Sequence, residues 1–446
     1  MFPKERGLNP TLFLNRDMGN RRMSKFNNIF KNPYVFSVIS KLLIVALGFA
    51  YSVCQARYLG TSLKGDVAYV DSVTKITLVL FGLGIHQAYP YFKKKTGQNV
   101  APLFLRLTLL MTGVYLIIAV VLSASLRGDI KLVAIFMLTP VLVYNRIVSY
   151  INMVETPNKK NLTELIVNFF EVIAVIVLWI CFPATIEWGL FLLLFKDLLL
   201  GIIYSYRLRK QFTTPVQMNK AMCLEIVKFG FFPMVALLMT TLNYRVDIIM
   251  LDHFVTSSDV GIYSVGVMLA ERVWLIPDAL KEVMISNLTK GKDYHEVSFV
   301  IRVCNTVCIF VVLGIVALGQ PFINLFYGND YADAYIVTVI ILVGVIFMIY
   351  YKMIGSYNIV HGKQKENLIY LIASVITNIV ANLILIPLVG NNGAAIASVL
   401  SYGMAAILFI HHFVKETGVK YKELLIVNRQ DIINIKKKFK GKKNEE

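Results

Sequence analysis

The sequence predicts an all-α integral membrane protein of about twelve transmembrane helices, in two six-helix lobes related by a pseudo-two-fold axis around a central cleft. Three observations carry that prediction. Apolar residues fill 57% of the 446 positions and charged residues only 16%, which is richer in apolar and poorer in charge than soluble domains. Stretches of about 20 apolar residues, enough to cross roughly 30 Å of hydrocarbon as a helix, recur along the whole chain. A short motif recurs after six of them.

Residues 1–32 form a basic tail carrying Arg21, Arg22, Lys25 and Lys31. It lacks an apolar run ahead of a small-residue cleavage site, so it does not read as a signal peptide. Met23 opens the string MSKFNNIFKNP and would serve equally well as a start, so residues 1–22 are expected to be dispensable. Twelve spans follow, at 34–56, 67–91, 102–125, 131–153, 162–181, 185–204, 224–251, 261–284, 299–318, 334–354, 368–388 and 393–413. Gly82, Gly84, Pro140, Pro233 and Pro277 fall inside them, which a buried helix tolerates where neighbours satisfy the freed backbone groups. The N-lobe is set at 33–206, a cytoplasmic linker at 207–222, the C-lobe at 223–414 and a basic cytoplasmic tail at 415–446.

Basic residues fix the expected orientation. With the N-terminus inside, inner loops hold Lys93–Lys95, Lys159, Lys160, Arg207, Arg209, Lys210, Lys281, Lys290, Lys292, Lys363 and Lys365, and the tail adds six more lysines beyond 435. Outer loops hold only Arg57, Lys64, Arg127 and Lys131. This obeys the positive-inside bias and places both termini in the cytoplasm. The +18 net charge is thereby explained by topology and anionic headgroups, with no nucleic acid as partner. Thr61-Ser62 leading to Gly65 after the first span recurs as Thr256-Ser257-Ser258 leading to Gly261 after the seventh. An even number of spans between copies gives parallel repeats about an axis along the membrane normal.

Catalytic and metal chemistry find no support. The five cysteines all lie in apolar spans without a CxxC, and Cys304 and Cys308 share a helix face as core residues. The six histidines are scattered, and no glycine-rich phosphate loop precedes a lysine. No cofactor and no metal are expected. The outer loops are short, mostly under about a dozen residues and near the length of plain connections, which argues against a membrane glycan polymerase or ligase.

Intramembrane charge is the informative feature, because each such charge costs about 2.5–3.5 kcal/mol and must face a wet cavity or a partner. Residues 242–277 concentrate it: Asn243, Arg245 and Asp247 before the polar turn, Glu271 and Arg272 after it. Lys41, Lys75 and Arg146 are further cations inside spans, while Arg106, Lys196, Lys228 and Lys352 lie near enough to span ends to snorkel, or else form structural ion pairs. A cleft with more cations than anions suits an anionic ligand, and arginine can grip phosphate through two parallel bonds.

The string LNYRVDIIML, followed by GIYSVGVMLAERVWLIP, resembles the central signature of bacterial polysaccharide exporters of the O-antigen flippase type. These belong to the multidrug/oligosaccharidyl-lipid/polysaccharide exporter superfamily. Ala56-Arg57-Tyr58-Leu59-Gly60, and Ile386-Pro387-Leu388-Val389-Gly390 with Gly393-Ala394-Ala395, agree with it. Gly48-Phe49-Ala50, Gln87-Ala88 and the run from Glu271-Arg272 to Pro277 are also similar to the murein-precursor flippases, in which the matching arginine lines the cleft. The sequence differs from them near Val45 and Tyr51, where cleft cations would fall, and Lys41 stands one turn earlier.

The resemblance implies a flippase in the bacterial inner membrane. Its cargo would be an undecaprenyl-pyrophosphate-linked repeat unit of O-antigen or capsule type, moved from the cytoplasmic to the outer leaflet and passed to a glycan polymerase of the same pathway. Arg272, Arg245, Lys41 and Arg146 are the substrate-contact candidates. Asp247, Glu271, Asp66, Asp71 and Glu171 are the charge-pairing or coupling candidates, with sodium, protons or membrane potential as energy sources. The rival is a cation-coupled multidrug antiporter of the same superfamily, built around a carboxylate among Asp66, Asp71, Glu171 and Asp247.

Overall fold

A computed structural model describes residues 33–433 other than 127, 216–218 and 292. The proposed leader with Met23 and the lysines beyond 435 lie outside the described residues. All regular structure among the described residues is helical. The N-terminal half holds α1 (Pro33–Phe81), α2 (Ile85–Thr96), α3 (Ala101–Ser125), α4 (Ile130–Glu155), α5 (Pro157–Cys181), α6 (Ile186–Arg207) and the short α7 (Arg209–Thr213). The C-terminal half holds α8 (Lys220–Phe254), α9 (Ser257–Glu271), α10 (Leu275–Leu288), α11 (Tyr294–Phe326), α12 (Ala334–Val360) and α13 (Gln364–Thr417).

Two of these helices are double crossings. α1 folds back at Gly60 (φ 70°, ψ 178°), so that Lys64 on the return limb bonds Gln55 on the outgoing limb at 2.6 Å. Only glycine takes that backbone conformation without strain. α13 folds back at Val389 and Gly390 (φ 55° at Gly390), and Ser374 on one limb donates to the Ser401 carbonyl on the other at 2.8 Å. Among the described residues nine helices are long and apolar enough to cross a membrane, counting α1 with α2 and α9 with α10 as one each. With the two fold-backs and α6 this gives twelve passes, which puts both described ends of the chain at one end of the bundle, here the terminal end. Residues 57–66, expected as an outer loop, are wound into helix on both sides of Gly60.

The turn read at Thr256–Asp259 is a helix start. Thr256 caps α9 by accepting from the Asp259 amide, and Asp259 accepts in return from the Thr256 amide at 3.2 Å, satisfying two otherwise orphaned donors. α9 and α10 are one span interrupted by a 3-10 turn at Arg272–Trp274. Pro277, lacking an amide hydrogen, removes the helical bond back to Val273 and loosens the backbone there.

Each lobe buries its own core. Tyr89, Phe92, Phe104, Ile147, Ile151 and Tyr204 fill the terminal half of the N-lobe. The C-lobe core runs from Ile248 and Tyr263 through Ile349 and Met353 to Phe409 and Phe413. Outward-facing positions are apolar as well: Ile180, Leu388, Phe310, Leu325 and Leu318 are all more than two-thirds exposed. Such a surface is stable against lipid and unstable in water.

The lobes touch at both ends by different chemistry. At the far end, α1 and α9 cross so closely that a Cβ on Gly65 would lie 1.7 Å from the Ser257 carbonyl oxygen, and one on Gly261 2.0 Å from that of Thr61. Ser258 donates to Thr61 at 2.7 Å and Ser257 to Asp66 at 2.8 Å. The two copies of the sequence repeat therefore face each other. At the terminal end the contacts are ring stacking of Tyr91 on Phe229 (4.3 Å) and exposed pairs, Lys95 with Glu225 at 2.5 Å and Lys41 with Glu282 at 3.3 Å. The residues after α13 fold back on α11, where Arg302 grips Asp431 with two bonds of 2.6 and 2.7 Å.

Candidate functional site

Between the lobes lies a cavity of about 490 Å³, walled by both limbs of α1, by α4, α5 and α6, by α8 and α9, and by Arg272 in the 3-10 turn that follows α9. Five cations line it, Lys64, Lys75, Lys196, Arg245 and Arg272, against four carboxylates, Asp71, Glu171, Asp197 and Glu271. Three pairs form. Lys75 meets Asp71 one turn earlier at 2.5 Å, Lys196 meets Glu171 at 3.1 Å, and Arg245 meets Glu271 at 3.5 Å across α8 and α9. Asp197 accepts from the Asn145 amide instead.

Lys64 and Arg272 are different. Lys64 bonds only the neutral Gln55, whose amide in turn donates to the Tyr51 hydroxyl at 3.0 Å. Arg272 has no carboxylate within ion-pair distance among the described residues. It stands at the 3-10 break, and its guanidinium reaches across to α1, 3.7 Å from where a Cβ on Gly48 would sit. The missing side chain at Gly48 leaves that guanidinium room. The cavity thus holds one cation more than carboxylates, with an arginine and a lysine left to meet an incoming anion.

A second space of about 420 Å³ continues toward the terminal end, sharing Lys75, Asp197 and Arg245 with the first and adding Arg146 and Glu164. Arg272, Arg245 and Arg146 therefore line two adjoining spaces that share wall residues, together with Asp71, Glu171 and Glu271. Three predicted residues lie elsewhere. Lys41 is exposed beside Glu282 at the terminal end of the lobe contact. Asp66 binds Lys131 at 2.6 Å and Ser257 in the far-end contact. Asp247 turns away from the cleft into the C-lobe, where it is 2% exposed and accepts from Tyr263 at 2.5 Å and Ser398 at 3.1 Å.

Of the two roles expected for Lys196 and Lys352, the structure shows the ion pair: Lys196 is held in the cavity wall by Glu171 and Asn168, and Lys352 by Asp278 at 2.9 Å. Lys64 is no outer-loop residue but a cavity cation, because the turn at Gly60 spends a single residue. Lys75 was legible as an intramembrane cation; Asp197 and Gln55 carried no signal beyond polarity within an apolar span.

The arrangement can receive a compact anion between two lobes, beside apolar wall residues such as Val45, Leu138 and Leu193. It has no nucleophile–base pair aimed at a common point, and among the described residues no cluster of metal-ligating side chains occurs.

Comparison with known proteins agrees with this architecture. The fold is similar to that of the lipid II flippase MurJ in an inward closed conformation, with a TM-score of 0.70 at 15% identity over 88% of this chain and 89% of that one. It is also similar to an inward-facing multidrug resistance MATE transporter of the MOP superfamily, with a TM-score of 0.62 at 14% identity over 86% of this chain and 100% of that one. At such identities the likeness is one of fold. In sequence, the chain is 24% identical over 229 residues to the probable flippase AglR of Haloferax volcanii, covering 48% of this chain and 46% of that protein. It is 23% identical over 190 residues to a probable low-salt glycan biosynthesis flippase of the same organism, covering 40% and 39%. The chain thus matches less than half the length of either relative. The sequence profile described as polysaccharide biosynthesis protein matches residues 32–273, more than half of the chain. The chain belongs to the polysaccharide biosynthesis protein family, and its fold is the two-lobe helical fold shared with the MurJ and MATE structures.

Proposed function

We propose that this protein is a flippase, a transporter and not an enzyme, for an undecaprenyl-pyrophosphate-linked oligosaccharide repeat unit of O-antigen or capsule type. It carries the unit from the cytoplasmic to the outer leaflet of a bacterial inner membrane, with both termini cytoplasmic as the basic loops suggest, and hands it to a glycan polymerase. The observation that carries this reading is the unpaired Arg272 in an inter-lobe cavity with surplus positive charge. Pyrophosphate cannot cross hydrocarbon alone, and a guanidinium offers it a matching planar fork. The prenyl tail stays in lipid while the lobes rock, opening the cleft first at one end and then at the other. Family membership and the glycan flippases among the similar sequences support the same substrate class.

A cation-coupled multidrug antiporter is the second reading. It draws on the MATE-like fold and on Asp247, a carboxylate enclosed in the C-lobe by two hydroxyls and suited to bind a proton or sodium. The same carboxylate would serve a flippase as its coupling group.

The deciding experiment is complementation of surface glycan in a strain lacking this gene. The flippase reading expects wild type to restore the glycan, and Arg272→Ala, at matched membrane levels, to leave lipid-linked repeat units in the inner leaflet. Unchanged surface glycan in the deletion strain, together with gained drug sensitivity, would favour the antiporter.

A further inference from the structure

A third cavity is not used by the headgroup reading. It measures about 450 Å³, within the roughly 300–1,000 Å³ of small-molecule sites, and lies in the terminal half of the C-lobe between α8, α10, α12 and α13, with Gln87 of α2 closing one side. Its walls are unlike a lipid-facing groove. Asp278, Lys281 and Lys352 stand in it with the rings of Tyr244 and Tyr351 and the amide of Gln364, while the Asn367 amide in the same wall is taken up by Asn358 and the Gly355 carbonyl.

The charge here is unbalanced. Lys352 and Lys281 share a single carboxylate, Asp278, at 2.9 and 3.2 Å. Lys352 is 10% exposed in its side chain and lies over the Trp274 ring, 4.7 Å from its centroid, so it is fixed in place. Tyr351 is held by Thr240 at 3.1 Å, and Tyr244 packs on Trp274 at 4.8 Å. Aromatic faces beside amides and charged groups are the chemistry that holds a sugar: rings pack on its C–H face while polar groups take its hydroxyls. The excess ammonium adds a preference for a carboxylate.

Position completes the case. Tyr244 and Leu237 line both this cavity and the one holding Arg146, which in turn shares Arg245 with the central cavity. Along α8, Thr240 is only about 7.5 Å of helix rise from Arg245. A saccharide joined to a pyrophosphate at Arg245 and Arg272 reaches this cavity without leaving protein walls.

We propose that this cavity is the saccharide subsite and that it takes a sugar bearing an acidic group, a uronic acid or its like. The inference rests on the flippase reading, whose headgroup site it extends.

The test uses full-length protein in nanodiscs with Trp179→Phe and Trp188→Phe, so that Trp274 beside Lys352 is the remaining tryptophan. Digalacturonate is titrated against Trp274 emission, with neutral galactobiose as its counterpart. Inorganic pyrophosphate is titrated separately by thermal stabilisation. Digalacturonate is expected to shift the emission saturably and to bind at least fivefold tighter than galactobiose. Lys352→Met and the more exposed Lys281→Met are each expected to weaken it at least fivefold and to leave the pyrophosphate response unchanged. Equal binding of the two disaccharides, or wild-type binding by both variants, would overturn the subsite. So would loss of the pyrophosphate response in both variants, which would make this the phosphate site. Loss of the pyrophosphate response in Arg272→Ala with digalacturonate binding intact supports two separate sites. An absent pyrophosphate response in wild type counts against the headgroup reading, while the sugar titration stands on its own result.

Discussion

Arg245 and Arg272 show how partners divide stability from function. Arg245 is held by Glu271, and both side chains are about one-fifth exposed to the cavity. Removing one member of such a pair strands the other charge, while removing both lifts the penalty. Glu271→Ala is therefore expected to destabilise the protein by about 1–3 kcal/mol, a lost charged hydrogen bond in a partly wet site, and Arg245→Ala with Glu271→Ala to recover part of that. Thermal melts in detergent measure both, and a Glu271→Ala protein that melts like wild type would contradict the pairing. Arg272 has no such partner, so Arg272→Ala is expected to leave the melt within about 1 kcal/mol of wild type. The sequence exposed these arginines because charge within an apolar span always requires an answer. It could not say which carboxylate gives that answer. Glu271 is adjacent to Arg272 in the chain, yet successive residues on a helix point about 100° apart, and Glu271 faces α8.

The element that most controls movement is the crossing of α1 and α9 at the far end. With carbonyl oxygens 1.7 and 2.0 Å from where a Cβ would sit, neither Gly65 nor Gly261 can accept a side chain unless the helices part. Gly65→Val is expected to hold the lobes open there. A water-soluble maleimide should then label Ser258→Cys several-fold faster in the purified Gly65→Val protein than in the parent. Equal rates would mean that the crossing does not close the cleft. The repeat of Thr-Ser and Gly was visible in the sequence, and so were the twelve spans, because hydrophobic length is a strong signal. That the two copies press on each other is a tertiary fact with no local trace. The one-residue fold at Gly60 was equally hidden, and it misplaced Lys64: a glycine in an apolar run reads as a loop or as nothing, depending on backbone angles that composition does not encode. For Lys196 and Lys352 snorkelling and ion pairing were both open for the same reason, since Glu171 and Asp278 meet them from other helices.

For the molecule as a whole, apolar flanks, a charged interior and two differently built closures suit the proposed carriage of a polar headgroup through a membrane. On the proposed orientation, single cysteines in a background lacking the five natural ones should label from outside intact cells at Ser258→Cys and not at Lys93→Cys. The reverse pattern would invert the topology. The inter-lobe cations are proposed to carry a pyrophosphate headgroup across. The most direct test is transport by purified protein in proteoliposomes, with an undecaprenyl-pyrophosphate-linked oligosaccharide whose sugar becomes accessible to an added glycosidase when it reaches the outer surface. Wild-type protein is expected to expose the sugar on the trapped leaflet within minutes. Arg272→Ala and Arg272→Lys should slow this at least tenfold, because lysine keeps the charge and loses the planar fork. Exposure at the wild-type rate by a folded Arg272→Ala protein would contradict the account.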